Sequence, residues 1–422
     1  MHYQLCIMNY KLCIIALVSV MILSSCSEHD YRDAIPKNVQ ALMSVDFASD
    51  DFPASKLKTD LEQAGVDFSE KAFLFETVEG NFGLCARIEN DAKLKEWIRQ
   101  KTNEKLCQPL TESAGIEFVF YNDSWVIGYK DPTVLIIGPV LPDMQKQIQM
   151  QISRLISQDG EQGGRNTKMF QALDSLQAPI RLIAKIAALP ENIALPLTIG
   201  LSKNTNLSHV CLLAEIHSAD SLIHINGQAI SFNKHTNEKL RKADKVYRPI
   251  SSKTTTVNRH AFLSFITNVQ GPTFLDMIQR NQTMKGLLSG INASFDVNSV
   301  IHAIDGDMVI ATSINNQDRI PFAMKAEIKD KDFLKQNWYT PSDHFFYATK
   351  DLDNQKTTFS CSNDKDIADQ HYNYDISKYL AKQRLAIVLH LPALHEHNAH
   401  ILTKAARHLF GEDMSTILYT LK

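Results

Sequence analysis

The sequence predicts an α+β protein of two tandem, duplicated units, each a mainly antiparallel sheet with helices packed on one face. Three observations predict this fold class. Short strand-like runs are interleaved with amphipathic helical stretches, turn signals separate neighbouring strands, and similar segments recur in the same order in both parts of the chain. The 422 residues, 44% hydrophobic and 22% charged, are sufficient for two packed units.

The first unit is predicted to span residues 35–250. Apolar alternation predicts its strands, and residue types that favour caps and turns place the boundaries. The predicted elements are strands at Gln40–Asp46, Lys71–Val78 and Phe82–Ile88, helices at Ser55–Ala64, Ala92–Gln100 and Asp143–Ser157, and a hairpin turn at Asn226-Gly227.

The second, shorter unit is predicted to span residues 257–422, after a polar linker. The segment Ala86–Trp97 is similar to Ala326–Trp338, and Ile180–Pro190 is similar to Arg384–Pro392, which supports the duplication. The predicted elements are strands at His260–Ile266, Ser299–Ala303, Met308–Ser313 and Phe322–Ile328, a helix at Pro272–Leu288, and a helix that contains Phe333, Leu334 and Trp338.

The N-terminus has the pattern of a bacterial lipoprotein precursor. Lys11 supplies a positive charge, and the apolar run Leu12–Ile22 is shorter than the roughly 20 residues that span a bilayer. Small residues then precede Cys26. We therefore predict a signal peptide over residues 1–25, cleavage between Ser25 and Cys26, and acylation of Cys26. An ordinary signal peptide with an incidental cysteine is the alternative.

Residues 26–34 are polar and are predicted to form a tether without a fold of their own. The net charge of -3, without any run of five basic residues, gives no electrostatic case for a nucleic-acid partner. The predicted partners are therefore the membrane, through the lipid, and an unknown protein or glycan ligand. The predicted location is the outer membrane, on either its periplasmic or its cell-surface side.

A histidine-rich stretch near the C-terminus is the main candidate for chemistry. His395-Glu396-His397 resembles part of a zinc-protease helix, but the required HExxH spacing fails because residue 399 is alanine. His397 and His400 lie three residues apart and are weak candidates for metal binding. A solvated loop is the preferred interpretation, so the sequence predicts no metal and no cofactor.

Other catalytic and structural motifs are absent from the sequence. It contains no GxSxG, no GxxxxGK[ST] and no CxxC, which excludes the corresponding hydrolase, nucleotide-binding and thioredoxin-like interpretations. The mature chain has four further cysteines, and the sequence leaves their disulfide state open: Cys85, Cys107, Cys211 and Cys361.

The chain resembles a family of uncharacterised Bacteroidota lipoproteins classified as a domain of unknown function. The resemblance rests on Cys26, Asp30-Tyr31, Ile35–Asn38 and Ala41–Asp46, and it continues through Asn90-Asp91 and Met169–Leu173. It implies an envelope location and no activity. We therefore expect a non-catalytic binding or interaction lipoprotein, with an envelope hydrolase acting on glycan or peptide as the alternative.

Overall fold

The computed structural model describes residues 30–52, 56–189, 194, 206–219, 221–251, 256–279, 295–313, 321–339, 344–351, 357–369, 371, 373–393, 410–411 and 413–421. Across those ranges, no helix combines the length and the apolar character needed to cross a bilayer. The described residues form an α+β fold with a large, mostly antiparallel sheet, as the sequence predicts.

The first part of the chain contributes eleven strands and five helices to the described fold. The strands are β1 (Val39–Val45), β2 (Ala72–Thr77), β3 (Phe82–Arg87), β4 (Thr111–Ser113), β5 (Ile116–Tyr121), β6 (Trp125–Lys130), β7 (Thr133–Gly138), β8 (Ile180–Lys185), β9 (Val210–Ala219), β10 (Leu222–Ser231) and β11 (Tyr247–Arg248). The helices are α1 (Lys56–Gln63), α2 (Asp91–Asn103), α3 (Gln145–Ser157), α4 (Lys168–Asp174) and α5 (Lys234–Ala243).

The second part contributes nine strands and four helices, counted over its described residues. The strands are β12 (Thr256–Asn258), β13 (Leu263–Gln270), β14 (Ile304–Thr312), β15 (Phe322–Ile328), β16 (Phe346–Asp351), β17 (Thr357–Ser362), β18 (Asn373–Asp375), β19 (Leu385–His390) and β20 (Thr416–Leu421). The helices are α6 (Gly271–Gln279), α7 (Val297–Ala303), α8 (Lys365–Ala368) and α9 (Ser377–Leu380).

One sheet runs through both parts of the chain. Its neighbours follow the order β4-β5-β6-β7-β3-β2-β1-β8-β9-β10-β20-β19-β13-β14-β15-β17-β16, and β11 adds a short pairing to β13. These pairs are antiparallel except for β10 and β20, which are parallel. The last described strand of the chain is therefore inserted at the centre of the sheet, beside the last long strand of the first part.

The two parts of the sheet share their pattern of strand neighbours. β1 lies between β2 and β8, and β13 lies between β14 and β19. β2 then pairs with β3, and β14 pairs with β15. This matching order is what a duplication would produce, although the duplication itself and the boundaries of the two units stay predictions.

Helices lie on both faces of the first part of the sheet, α1 and α2 on one face and α3 on the other, and α3 covers a large apolar core. Helix α3 presents Ile148, Ile152, Leu155 and Ile156 to the sheet, and the spacing of these residues matches one face of a helix. The predicted helix at Asp143–Ser157 is thus confirmed. This layer fixes α3 and the residues that follow it against β1, β6 and β7.

Three predictions of local structure are wrong. Residues 299–303 were predicted as a strand and instead complete α7, which Asp296 caps by accepting hydrogen bonds from Asn298 N and Ser299 N. The predicted helix around Phe333 is a short 3₁₀ helix, Asp332–Lys335, and Trp338 lies beyond it.

The predicted hairpin turn at Asn226-Gly227 lies instead in the middle of β10. The actual turn between β9 and β10 precedes Leu222. Gly227 is needed there for close packing, because a Cβ atom would approach Tyr419 Cε2 to 2.8 Å and Leu212 Cδ1 to 2.9 Å.

The folded body begins earlier than the predicted tether allows. Residues 31–34 form a 3₁₀ helix in which Tyr31, Asp33 and Ala34 are buried. The prediction of a fold-free tether over 26–34 is therefore wrong from Asp30 onward. The polar composition of the segment led to the wrong prediction, because Asp30 and Asp33 form ion pairs with Arg165, which lies far along the chain. We refer to residues 30–35 as the N-terminal clasp.

Candidate functional site

The site residues predicted from the sequence fall outside the described part of the chain. This holds for Ser25 and Cys26 at the predicted cleavage and lipidation site, and for His397 and His400 as metal candidates. No group of three or more metal-ligating side chains occurs among the residues that are described. The prediction of acylation and that of a histidine site both stay predictions.

His390, five residues before the histidine-rich stretch, lies among the described residues. It lies at the end of β19, where Nδ1 is 3.2 Å from Thr416 Oγ1 and the ring lies near Tyr374. Burial lowers the pKa of His390, and the positive charges of Arg259 and His260 lower it further. These contacts give His390 a packing role at the junction of β19 and β20.

The four cysteines of the body are buried, free thiols. Burial raises the pKa of each of them, which disfavours the reactive thiolate. None is therefore suited to act as a nucleophile.

Two of the tryptophans pack against other aromatic rings. Trp338 is buried and makes edge contacts with Phe333 and Phe359, and Trp97 is half-buried and stacks on Tyr121. Both indole rings already contact neighbouring aromatic rings, so they offer no platform for a sugar ring.

The clearest candidate for a binding site is an apolar groove on the sheet face opposite α3. Antiparallel pairing places Met43 of β1 opposite Leu74 of β2 and also opposite Leu182 of β8, so these three side chains share one face. The adjacent residues of β1, Leu42 and Ser44, point to the other face, where Leu42 joins the core beneath α3.

The groove has a volume of about 290 Å³. Met43, Leu74 and Leu182 are only half-buried, so the apolar floor is accessible. Glu76 is the one charged side chain among the described lining residues. The described lining consists of Ala41, Met43, Val45, Phe52, Leu74, Phe75, Glu76, Phe82, Gly83, Ile180, Leu182 and Phe410.

Exposed apolar side chains lie at one end of the groove. Phe82 is 55% exposed and Val78 is 52% exposed, and the two flank the turn between β2 and β3. Gly80 occupies that turn with a φ of 85°, a conformation that favours glycine. Contiguous apolar surface of this kind marks a contact site for a ligand or a partner.

A second cavity of about 270 Å³ lies over the second part of the sheet. Its described lining combines small polar residues with a larger number of apolar ones, and Lys325 is the one charged side chain among them. No carboxylate appears in that described lining, so these residues do not supply the acid pair used in glycoside hydrolysis. The apolar groove therefore remains the better candidate.

Sequence analysis missed the groove because it depends on which strands become neighbours. A signal was nevertheless present: β1, β2 and β8 carry apolar residues at successive positions, not only at alternate ones. That pattern is typical of strands with apolar contacts on both faces, whereas a strand with one solvated face alternates.

Comparisons with known proteins place the chain in a family without an assigned activity. No curated protein matches it. A crystal structure of TP0453, in its crystal form IV, is similar to part of the chain at 10% identity, covering 46% of this chain and 78% of that one. The TM-score of 0.32 is too low to carry an argument about fold or function. A family model described as Domain of unknown function (DUF4836) matches residues 9–359, so the chain belongs to that family.

Proposed function

We propose that this protein is a lipid-anchored, non-catalytic binding protein of the bacterial envelope. Acyl chains on Cys26 hold it in the outer membrane, and the groove on the first part of the sheet binds an apolar ligand. The observation that carries the binding proposal is the accessible apolar floor formed by Met43, Leu74 and Leu182. Burying such surface stabilises a complex by about 25 cal/mol per Å².

The lining of the groove favours an alkyl chain over a glycan. Sugar recognition relies on hydrogen-bonding groups and aromatic platforms, whereas the described lining supplies one carboxylate and otherwise apolar side chains. The volume of about 290 Å³ lies at the lower end of the usual range for small-molecule pockets, roughly 300–1,000 Å³. A single chain is therefore a better fit than a lipid with several chains.

Glu76 restricts the head group of such a ligand. It extends from the same face of β2 as Leu74, at the end of the strand that leads to the turn. Its carboxylate repels an anionic head group and accepts hydrogen bonds from an ammonium or a hydroxyl group. The favoured ligand class is a single-chain amphiphile with a cationic or neutral head.

Calorimetric titration with an alkyl ammonium amphiphile, kept below its micelle concentration, tests this proposal. We expect the leaderless protein to bind a decyl ammonium salt, and Met43→Lys to weaken the affinity at least about tenfold by introducing a charge into the apolar floor. Met150→Lys is the matched control, because Met150 is 63% exposed on α3, across the sheet from the groove.

Two results would contradict the proposal. One is the absence of binding to the wild-type protein, and the other is an equal effect of the two methionine substitutions. Tighter binding of a hydrophobic peptide than of any alkyl ammonium salt would assign the groove to a protein partner instead. Urea unfolding of Met43→Lys shows whether a loss of binding reflects the groove or a loss of fold.

A further inference from the structure

The N-terminal clasp is fixed to the body by contacts that span the chain. Asp30 Oδ2 lies 2.5 Å from Arg165 Nη1, and Asp33 Oδ1 lies 3.1 Å from Arg165 Nε. Gln158 Nε2 donates to the carbonyl of Asp33, and Tyr31 Oη donates to the carbonyl of Lys71. Both the backbone and the side chains of the clasp are therefore held in place.

Burial of the clasp adds to these polar contacts. Tyr31, Ala34 and Ile35 pack in the core beneath α3, and Ile35 is fully buried. The backbone N–H of Gly164 donates to the carbonyl of Ile35 over 2.7 Å, which joins the clasp to the loop that follows α3. The clasp is thus part of the packed body from Asp30 onward.

The distance from the clasp to the predicted lipid is short. Cys26 and Asp30 are separated by four peptide steps, and each step spans at most about 3.8 Å between Cα atoms. Asp30 therefore lies within about 15 Å of the acylated residue, whatever path the chain follows. This reach is small beside the roughly 30 Å thickness of the hydrocarbon core, so the clasp stays close to the lipid head groups.

We infer that the partly exposed Asp30 and Arg32 of the clasp, together with the loop at residues 158–166, form the membrane-facing surface of this protein. This inference rests on the proposed lipid anchor at Cys26. The partner is the bilayer surface, which the tether brings into contact with these residues. The carboxylates of Asp30 and Asp33 are paired with guanidinium groups, and the exposed acids of this surface are Asp159 and Glu161 of the loop.

The same geometry orients the binding groove. The clasp packs with α3 on one face of the sheet, and the groove lies on the opposite face. With the clasp against the bilayer, the groove opens to the aqueous compartment and not into the lipid. Its ligand is then an amphiphile presented from solution, not one extracted directly from the membrane beneath the protein.

Hydrogen exchange on vesicle-bound protein tests this orientation. The leaderless protein, beginning at Cys26, is coupled through that thiol to a maleimide lipid in phosphatidylcholine–phosphatidylglycerol vesicles. We expect exchange at residues 30–38 and 158–167 to slow at least about threefold relative to protein mixed with vesicles whose maleimide is quenched. Exchange in the turn at residues 78–81, beside the groove, is expected to stay unchanged.

A tether variant provides the matched control. Insertion of twelve Gly/Ser residues between Glu28 and His29 keeps the coupling but lengthens the reach, so the slowed exchange should disappear. Slowing that persists after insertion, or that occurs at residues 78–81 instead, would overturn the assigned orientation. Because Cys26 is coupled to the lipid chemically, the exchange result does not depend on whether cells acylate Cys26. A failure of the assigned orientation can therefore be distinguished from a failure of the proposed lipid anchor.

Discussion

Asp33 and Arg165 meet in an ion pair between the first folded segment of the chain and the loop after α3, with Oδ1 and Nε 3.1 Å apart. The Asp33 side chain is only 7% exposed, and Arg165 also contacts Asp30. Arg165 therefore bridges the two carboxylates of the clasp, and Arg32 supplies a second guanidinium to Asp30. This arrangement explains how a strongly polar segment can be part of the folded body.

Arg165→Ala should destabilise the protein by about 2 kcal/mol, because it leaves a buried carboxylate without its partner. The midpoint of urea unfolding measures this change. Arg99→Ala is the control: both side chains of the Arg99–Glu96 pair are exposed, and its loss should leave the free energy of unfolding nearly unchanged. Equal effects of the two substitutions would show that the clasp contributes no more than a surface pair.

Asp307 should give the stability a specific dependence on pH. Burial raises the pKa of this carboxyl above its ordinary value, and the nearby Glu327 raises it further, while hydrogen bonds from Ser251 and Asn268 oppose the shift. Because the pKa of this carboxyl is higher in the folded state than in the unfolded state, its protonated form stabilises the fold. This contribution is complete at a pH below the ordinary pKa and is lost as pH rises through the pKa of the folded state. The stability of Asp307→Asn relative to wild type should therefore increase as pH rises above the ordinary pKa of an aspartate carboxyl.

Urea unfolding over this rise in pH measures the difference, and Asp351→Asn serves as a control of opposite sign. Hydrogen bonds from Lys331 and Thr357 lower the pKa of Asp351. The contribution of Asp351 to the free energy of unfolding is present at a pH above its ordinary pKa and is lost as pH falls through the pKa of the folded state. A difference for Asp307→Asn that stays constant with pH would contradict the assigned shift.

The affinity of the groove should depend on the length of the alkyl chain. Each buried methylene contributes about 0.8 kcal/mol, which corresponds to about fourfold in affinity. The dissociation constant should fall by this factor per carbon and then level off once the chain fills the volume of about 290 Å³. Titration of a homologous series of alkyl ammonium salts gives these constants. An affinity that is independent of chain length would show that the groove does not hold the chain.

The leaderless protein should expose a single reactive thiol. Burial raises the pKa of Cys107 to about 11 and also raises the pKa of Cys85, Cys211 and Cys361. A chromogenic thiol reagent at about pH 8 should therefore react rapidly with Cys26 alone in the native protein. In urea it should react with all five cysteines. Rapid reaction of more than one thiol without denaturant would contradict the burial of the four body cysteines.

Local sequence patterns were sufficient for the elements whose residues alternate or repeat clearly. β1, β2, β3, α2 and α3 lie close to their predicted positions, and the Asn90 side chain caps α2 by accepting a hydrogen bond from Lys93 N. In these segments the amphipathic period and the capping residue agree with the tertiary packing.

Features set by distant contacts were not predictable in the same way. Asn226-Gly227 is a strong turn signal, but the close approach of Tyr419 and Leu212 requires glycine inside a strand. The clasp is polar, and Arg165, which pairs with its Asp30 carboxylate, lies far along the chain. The groove arises from the pairing of β1 with both β2 and β8, which no single segment encodes.

The central claim, a lipid anchor on Cys26, is tested most directly by mass spectrometry of the N-terminal peptide of protein extracted from the membrane. Trypsin cleavage after Arg32 releases this peptide. The account predicts that it begins at Cys26 and carries acyl chains on that residue. A peptide that begins upstream of Cys26, or one that carries an unmodified Cys26, would contradict it.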